Sequence, residues 1–371
     1  MASETTGGAI GLDGVVAVAT ALSEVDGLAG RLNIAGRDVE KWAESASFEQ
    51  ACVLLWGAAD GRSRSSGDVQ KRLGECRVEA FARLGDLGDA LAAPDGMDAL
   101  RAAVAHVRQG GVPTGDASDA SALVTAATAV FAAAWIRKRA GRAPVAPDPS
   151  LGHAEDYLRM STGLPVPVAC GRALSSYLVT VSDHGMNAST FAARVVASTQ
   201  SDIVSAVVAA LGALKGPLHG GAPGPVLDML DAIGEASRAE GWIAAELAKG
   251  RRIMGMGHRI YRVRDPRAEV LEKATLALVD AGLRTDRLAL ARAVERTATA
   301  ALAAKYPDRK LEANVEFYTA ILLDALGFPR EAFTPTFAVG RVIGWCAHVT
   351  EQRAKGRLIR PESRYIGAAR S

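Results

Sequence analysis

Apolar residues recur along most of the chain at the three- to four-residue spacing of an α-helix, whereas strict alternation of apolar and polar residues is rare. Alanine and leucine are abundant, which also favours helices. The pattern therefore predicts a mainly helical, all-α fold class. Two short, glycine-bounded stretches near the N-terminus, residues 14–18 and 30–36, are exceptions and are expected to pair as a small hairpin. Helices are expected to begin after Arg37.

Several helices have clear start signals, because a capping side chain precedes an apolar run. These signals are Asp202 before residues 203–214, Asp265 with Pro266 before the run from Val270, and Asn314 before the run that stops at Gly327. The helix after Asp202 is apolar on nearly every side. It is expected to be buried, either at the centre of the fold or at a subunit interface.

The longest uncharged run, residues 120–136, falls just short of the length of a membrane span and contains serine and threonine. We interpret it as a buried core helix rather than a membrane helix. No lysine or arginine precedes Arg31, so the start of the chain lacks the charge pattern of a secretory signal or a transit peptide. The expected location is the cytoplasm.

Composition narrows the class of protein further. Of its residues, 49% are hydrophobic and 23% charged, as in packed globular proteins. The length of 371 residues predicts either roughly two to three domains or one large helical body with an appended lobe. The net charge of +2 provides no basic field for nucleic acid, so any cationic function has to be local. The four cysteines are scattered without a CxxC pair, which indicates buried free thiols rather than a zinc site or a disulfide framework.

Three of the six histidines lie in glycine-rich contexts: His184, His219 and His258. Glycine allows the backbone to approach a ligand closely, whereas a core histidine usually has bulky neighbours. For one such histidine, a structural role with a loop carbonyl as partner explains the context equally well. Three together favour a ligand site.

Arg267, Arg341 and Arg360 are the candidate anion-binding residues. Each alone is more often a salt-bridge partner or an exposed surface charge. Arg341 differs because its neighbours along the chain are apolar, and a buried guanidinium requires an anion. A dicarboxylate could bind it through two parallel hydrogen bonds.

Several blocks of the sequence resemble the citrate synthase family, in the order in which the family has them. The blocks are GLDGVVAVATALSEVDG (11–27), SDHGMNAST (182–190), GPLHGG (216–221), MGMGHRIYRVRDPRAEVL (254–271), ANVEFYTAILLDALGFP (313–329), FTPTFAVGRVIGWCAHVTEQ (333–352) and LIRPESRYIG (358–367). The resemblance spans nearly the whole chain and is weakest between about Gly57 and Leu151. Several ordered blocks are far more specific than a single motif.

The resemblance implies a helical two-domain architecture. Residues 1–215 and 321–371 would form a large helical domain, and residues 216–320 a smaller inserted helical domain. The active site would lie in the cleft between them, and substrate binding would close that cleft and exclude water. A homodimer is implied as well, because a C-terminal arginine of the family reaches the active site of the neighbouring subunit.

The resemblance also implies residue roles. His219 would donate a hydrogen bond to the thioester carbonyl, and His258 would hydrogen-bond and protonate the carbonyl of oxaloacetate. The carboxylates of oxaloacetate would be held by His184, Arg267, Arg341 and, from the partner subunit, Arg360. Contacts to CoA would come from Arg262, at a phosphate, and from the backbone at Gly255 and Gly257, near the adenine. Neither a metal nor a cofactor is implied beyond the substrates, and no membrane or nucleic acid is implied as a partner.

The residue types fit this chemistry. Removing a proton from a thioester methyl group creates an enolate, so a base must be paired with a donor at the carbonyl oxygen. His219 precedes a helix predicted near Gly224 and Pro225, and the N-terminus of a helix favours a neutral imidazole. Such an imidazole suits the donor role.

One position departs from the family. Its usual base is an aspartate in a PNVDFYSG-like block, but this chain has Glu316 there. The extra methylene moves the carboxylate by more than ~1 Å unless the backbone or rotamer compensates, and such a shift can reduce a rate by about 100-fold. Glu316 in the first turn after Asn314 could also be an ordinary helix-start carboxylate. We favour the catalytic role because the other implied residues are present.

The sequence therefore predicts an acyltransferase that condenses acetyl-CoA with oxaloacetate to give citrate and CoA. A variant within the same class uses propionyl-CoA or a longer acyl-CoA to give an alkylcitrate. A protein of another class, a weakly active relative that binds oxaloacetate or CoA as a sensor, remains an alternative.

Overall fold

The computed structural model describes residue 12 and residues 14–107, 117–219, 223–258, 260–283, 286–363 and 365–367. The chain is mainly helical, and the predicted all-α class is confirmed. The helices are α1 Val39–Trp42, α2 Phe48–Asp60, α3 Ser66–Ala82, α4 Gly96–Ala105, α5 Ala117–Arg139, α6 His153–Thr162, α7 Val168–Thr180, α8 Ala188–Ser198, α9 Ile203–Leu214, α10 Pro223–Ile233, α11 Ala239–Ala248, α12 Pro266–Asp280, α13 Asp286–Lys305, α14 Val315–Ala325 and α15 Phe333–Lys355.

Three short strands form a small antiparallel sheet near the N-terminus: β1 Ser23–Asp26, β2 Arg31–Ile34 and β3 Arg37–Asp38. The prediction of a strand within residues 30–36 is confirmed, but the strand predicted at residues 14–18 is wrong. The hairpin instead closes through the four residues between β1 and β2, a much shorter connection than one from residue 18. Val16 remains 87% exposed in an extended segment.

The caps predicted from the sequence hold the starts of three helices. The side chain of Asp202 accepts a hydrogen bond from the backbone N–H of Ser205 at the start of α9. Asp265 and Asn314 do the same at the starts of α12 and α14. The buried residues of α9 lie on one face of the helix, and the residues of the opposite face are only partly buried or exposed. The expectation that this helix is buried on nearly every side is therefore wrong for the single chain, although its apolar composition remains. All four cysteines are buried and free, which also agrees with the sequence analysis.

The uncharged run predicted to be a core helix lies in α5. Among the described residues, α5 is the one helix long and apolar enough to cross a membrane, but 94% of the tested stretch is buried inside the protein. It packs against α3, α4, α6 and α15. Burial by neighbouring helices therefore accounts for its apolar composition.

Two glycines of α15, Gly340 and Gly344, allow this helix to lie directly against the end of α7. A Cβ atom added to Gly344 would lie 2.1 Å from the carbonyl oxygen of Ser182, and one added to Gly340 would lie 2.6 Å from a methyl group of Val181. This close packing places Arg341 beside the chain that leads to His184, and its Nε donates to the carbonyl of Val181. The fold therefore sets the position of the predicted anion-binding arginine. The division into two domains stays a prediction.

Replacing Gly344 with alanine should destabilise the protein, because α15 and the end of α7 would have to separate. We expect a loss of roughly 1–3 kcal/mol in the free energy of unfolding, the usual range for an overpacked core. Gly212 in α9 is the matched control, since an added Cβ meets no atom within 4 Å there. Gly212→Ala should be neutral or stabilise by up to about 1 kcal/mol. Urea or thermal unfolding of both variants tests this, and equal stability would contradict the packing argument.

Candidate active site

Two loops that are far apart in the sequence are joined by backbone hydrogen bonds at the centre of the site. The N–H of Gly257 donates to the carbonyl of Glu312 at 2.7 Å, and the N–H of Asn314 donates to the carbonyl of Gly255 at 2.9 Å. The side chain of Asn314 adds a bond of 2.8 Å to the carbonyl of Gly257. These bonds bring the loop before His258 next to the start of α14.

Asp265 extends this connection to the start of α12. Its carboxylate accepts hydrogen bonds from the backbone N–H groups of Arg267, at 3.0 Å, and Val315, at 3.1 Å, so one side chain serves the starts of α12 and α14. It also forms a buried ion pair with the Arg267 guanidinium, with a shortest distance of 2.7 Å. Arg267 is thereby held 3.4 Å from Nε2 of His258.

His258 is held in one tautomer. The backbone N–H groups of Ile260 and Tyr261 both donate to its Nδ1, at 3.0 and 3.1 Å. A backbone N–H can only donate, so the proton of the neutral ring is on Nε2. Burial and then the nearby Arg267 charge lower the pKa of His258 to about 4. At neutral pH the residue therefore presents a neutral Nε2–H donor beside a guanidinium.

His184 reaches the same place from the end of α7. Its ring centroid lies 5.7 Å from that of His258, and its Nε2 lies 3.1 Å from the hydroxyl of Tyr261. Burial, followed by the charges of Arg267 and Arg341, lowers the pKa of His184 well below its usual value. The preceding residue, Asp183, is fixed by His348 of α15 at 3.1 Å. The two predicted imidazoles are therefore neighbours.

His219 lies beside the start of α8. The backbone N–H of Ser189 donates to its Nε2 at 3.2 Å, which leaves the proton of the neutral ring on Nδ1. The Ser189 hydroxyl lies 2.8 Å from the same nitrogen and is itself fixed by the indole N–H of Trp345 at 3.1 Å. Burial and then the Arg341 charge lower the pKa of His219 to about 4. The helix predicted to follow begins at Pro223, and residues 220–222 lie outside the described chain.

Glu316 is in the first turn of α14 but does not cap that helix. Asn314 and Asp265 accept the hydrogen bonds from the first N–H groups, and the Oε2 atom of Glu316 is buried without a hydrogen-bond partner among the described residues. Burial raises the pKa of Glu316 to about 7, although the charge of Arg267 opposes the rise. At neutral pH this carboxyl group can therefore both hold and release a proton.

Arg341 is almost completely buried, as its apolar neighbours in the sequence predict, with 1% of the residue exposed. Its guanidinium lies 4.7 Å from the centroid of the Phe337 ring, and its Nη2 atom makes no hydrogen bond to a described residue. Burial lowers its pKa to about 10, so the group stays charged at neutral pH. An unpartnered buried guanidinium atom is where an anionic ligand would be stabilised.

The remaining predicted site residues are two loop glycines, Gly255 and Gly257, and two exposed arginines, Arg262 and Arg360. The loop glycines have left-handed backbones, and a Cβ on Gly255 would lie 2.8 Å from the ring of Phe317. Arg262 is exposed, and its N–H bonds to the carbonyl of Gly27 at 2.8 Å. Arg360 is exposed in the C-terminal segment, where it lines an open groove of about 560 Å³. Roles of these four residues in binding CoA or oxaloacetate stay predictions.

The sequence analysis missed several residues that shape the site: Tyr261, Ser189, Asp183, His348 and Asp265 as an ion-pair partner of Arg267. Tyr261, Asp183 and Asp265 lie within three residues of predicted site residues, whereas Ser189 is five residues from His184 and His348 is seven residues from Arg341. A search for polar residues beside the chosen histidines could have found Tyr261 and Asp183. Among the described residues, no group of three or more His, Cys, Asp or Glu side chains could hold a metal ion.

The chain matches known proteins along nearly its whole length. The family model described as "Citrate synthase, C-terminal domain" matches residues 11–362. The chain is 39% identical to a citrate synthase of Mycolicibacterium smegmatis, over 96% of this chain and 94% of that protein. It is 37% identical to a 2-methylcitrate synthase of Mycobacterium tuberculosis, over 96% of this chain and 90% of that protein.

A solved structure has the same fold. The structure of citrate synthase from Thermoplasma acidophilum, in a ternary complex with carboxymethyl coenzyme A and oxaloacetate, aligns with a TM-score of 0.85. The sequence identity is 28%, and the alignment covers 97% of this chain and 96% of that chain. The match along nearly the whole chain, together with the fold, shows that the chain belongs to the citrate synthase family of acyltransferase-type condensing enzymes.

Proposed function

We propose that the protein condenses acetyl-CoA with oxaloacetate and water to give citrate and CoA. The observation that best supports this is the convergence of two buried guanidinium groups, neutral imidazoles and a carboxyl group with a pKa near 7. A dianionic keto acid matches the two charges, and the carboxyl group has the proton affinity that a general base needs at neutral pH.

In this proposal Glu316 removes a proton from the methyl group of the thioester. The negative charge then develops on the thioester oxygen, where the Nδ1–H of His219 donates a hydrogen bond. The neutral state of His219 helps, because a neutral donor stabilises the enol without adding a second charge beside Arg341. The pKa of about 4 keeps the ring neutral throughout the physiological range.

Oxaloacetate lies between the guanidinium groups in this scheme. Arg267 and Arg341 bind its carboxylates with His184, while the Nε2–H of His258 hydrogen-bonds the keto oxygen and protonates it as the new C–C bond forms. Water then hydrolyses the condensed thioester, which releases citrate and CoA. No cofactor takes part in these steps.

The remaining roles follow the family resemblance. Arg262 and the backbone at Gly255 and Gly257 would contact CoA, and Arg360 would complete the oxaloacetate site of the partner in a homodimer. The two predicted domains would close over the substrates and exclude water from the enolisation step. The side chain of Leu218, next to His219, is fully exposed, which fits a site that closes on its ligand.

An alternative substrate within the same reaction is propionyl-CoA, which would give 2-methylcitrate. The 37% identity to a 2-methylcitrate synthase supports it to nearly the same degree as the 39% identity to a citrate synthase supports acetyl-CoA. The two substrates differ by one methylene, which a pocket discriminates by only about 1–3 kcal/mol. A weakly active protein that binds oxaloacetate or CoA is the other alternative, because glutamate replaces the aspartate at position 316.

CoA thiol release, measured with and without oxaloacetate, distinguishes these alternatives. We expect release that depends on oxaloacetate, and the ratio of kcat/KM for acetyl-CoA and propionyl-CoA identifies the acyl substrate. Glu316→Gln should lower kcat by about 100-fold or more, because it removes the general base. Glu316→Asp keeps an acid and should retain more activity than the glutamine variant.

The exposed Glu331 provides the matched control, since Glu331→Gln makes the same chemical change away from the site. It should leave kcat unchanged. Full turnover of Glu316→Gln would show that Glu316 is not the base, and wild-type protein that binds oxaloacetate without releasing thiol would favour the binding protein.

The raised pKa of Glu316 also predicts how stability depends on pH. A carboxyl group with a pKa of about 7 when folded, against 4.5 for an ordinary glutamate, binds its proton more tightly in the folded protein. Raising the pH through this window therefore lowers the free energy of unfolding. Glu316→Gln removes the effect, so its stability relative to wild type should rise from about pH 5 to pH 8, by roughly 1–3 kcal/mol. Urea unfolding across this range measures the difference.

Glu351→Gln is a control of opposite sign. Burial raises the pKa of Glu351, but hydrogen bonds from Ala21 and Arg194 outweigh burial and lower it. Its ionised form therefore stabilises the folded state above the unfolded pKa, and the glutamine variant should be less stable at neutral pH. A pH-independent difference between Glu316→Gln and wild type would contradict the raised pKa.

A further inference from the structure

Tyr261 lies beside three of the side chains that are proposed to bind oxaloacetate: His184, His258 and Arg267. Its hydroxyl lies 3.1 Å from Nε2 of His184, and its ring centroid lies 4.8 Å from that of His258. The guanidinium carbon of Arg267 lies 5.9 Å from the same ring. Only 1% of Tyr261 is exposed, so these contacts occur in a buried setting.

The backbone of Tyr261 contributes as well. Its N–H donates to Nδ1 of His258 at 3.1 Å, and this bond helps to keep the ring proton of His258 on Nε2. One residue therefore orients two imidazoles, one through its side chain and one through its main chain. Burial raises the pKa of the Tyr261 hydroxyl, so the group remains a neutral hydrogen-bonding partner over the working range of pH.

The loop that carries Tyr261 is fixed from outside by the turn between β1 and β2. The N–H of Arg262 donates to the carbonyl of Gly27 at 2.8 Å, and a Cβ on Gly27 would lie 2.4 Å from the carbonyl oxygen of Ile260. Gly30, with φ of +64°, lies against the side chain of Val263 in the same close manner. Residues on both sides of Tyr261 are thus held by the hairpin.

The same hairpin holds the loop of His184. The hydroxyl of Ser23 in β1 donates to Asp183 and accepts a hydrogen bond from the N–H of Gly185 at 2.9 Å. A Cβ on Gly185 would lie 3.4 Å from a methyl group of Val25, which is ordinary contact. The hairpin therefore fixes the loops on both sides of the contact between Tyr261 and His184.

We propose that Tyr261 is a positioning residue for oxaloacetate, which holds His184 through its hydroxyl and His258 through its backbone N–H so that both imidazoles face the bound keto acid. This inference rests on the proposed function. It assigns Tyr261 no contact with the acyl-CoA and no part in proton abstraction. Its loss should therefore weaken oxaloacetate binding more than it slows the chemical step.

The test is Tyr261→Phe, which removes the hydroxyl and keeps the ring and the backbone N–H. We expect KM for oxaloacetate to rise by about three- to tenfold, the effect of one neutral hydrogen bond. The values of kcat and of KM for the acyl-CoA should change by less than about twofold, since the hydroxyl does not contact the base. Unchanged KM for oxaloacetate would overturn the proposal.

Tyr157→Phe is the matched control, because Tyr157 is also fully buried with its hydroxyl bonded to one side chain, Thr336, at 2.9 Å. It should lower the thermal stability by an amount similar to Tyr261→Phe but leave both KM values unchanged. If the two variants show the same kinetic changes, the effect of Tyr261 is structural and the proposal fails.

Gly27→Ala tests the same proposal without altering Tyr261. Its Cβ would push the carbonyl of Ile260 away, so we expect KM for oxaloacetate to rise in this variant too. Gly85→Ala is its control, since an added Cβ there meets no atom within 4 Å. If KM for oxaloacetate rises in Tyr261→Phe but not in Gly27→Ala, the hairpin does not position Tyr261.

Calorimetry with oxaloacetate alone separates this inference from the proposed function. If wild type binds oxaloacetate but releases no thiol, the proposed reaction fails while the effect of Tyr261→Phe on Kd still decides the role of Tyr261. If wild type neither binds oxaloacetate nor turns over, both proposals fall together. If wild type is active and Tyr261→Phe binds oxaloacetate with an unchanged Kd and KM, only the inference about Tyr261 is overturned.

Discussion

The site depends on one buried carboxylate, that of Asp265. It accepts hydrogen bonds at the start of α12 and at the start of α14, and it pairs with the Arg267 guanidinium. Removing one partner of a buried ion pair generally costs roughly 3–5 kcal/mol, because the other charge is left without compensation. Here the same change would also remove one hydrogen bond at the start of α12 and one at the start of α14, the two helices that carry Arg267 and Glu316. The Asp265 carboxylate therefore contributes both to the stability of this region and to the relative positions of Glu316, the predicted base, and Arg267, a predicted anion-binding residue.

The electrostatics of the cluster follow from that arrangement. Burial lowers the pKa of His184, His219 and His258, and the charges of Arg267 and Arg341 lower it further, so these three imidazoles are neutral donors rather than cations. The positive charge is thereby concentrated on the arginines, which cannot lose it at neutral pH. A dianion brought between them would be stabilised by the arginines, while the neutral imidazoles remain free to hydrogen-bond carbonyl oxygens. The arginines are charged and the imidazoles neutral because all of these groups are buried close to one another.

Much of the fold could be predicted from local signals, because Asp202, Asp265 and Asn314 cap helices through contacts within three residues. The strand expected at residues 14–18 was wrong because hairpin pairing is decided by loop closure, which a glycine-bounded apolar run does not encode. The contacts between His348 and Asp183, or between Tyr261 and His184, join residues that are 165 and 77 positions apart. Sequence periodicity cannot predict such pairs, although the histidines themselves were recognisable.

The glycines of the loop before His258 are required by the packing of the chain itself. The family resemblance implies that the backbone at Gly255 and Gly257 contacts CoA, yet Gly255 already has the ring of Phe317 where a Cβ would be. Both have left-handed backbones, and both belong to the hydrogen-bonded loops that bring His258 to the start of α14. Their absence of a side chain is therefore required by the protein itself before any ligand binds. His258 lies in a glycine-rich context because the chain must pack tightly there to bring this histidine beside the start of α14.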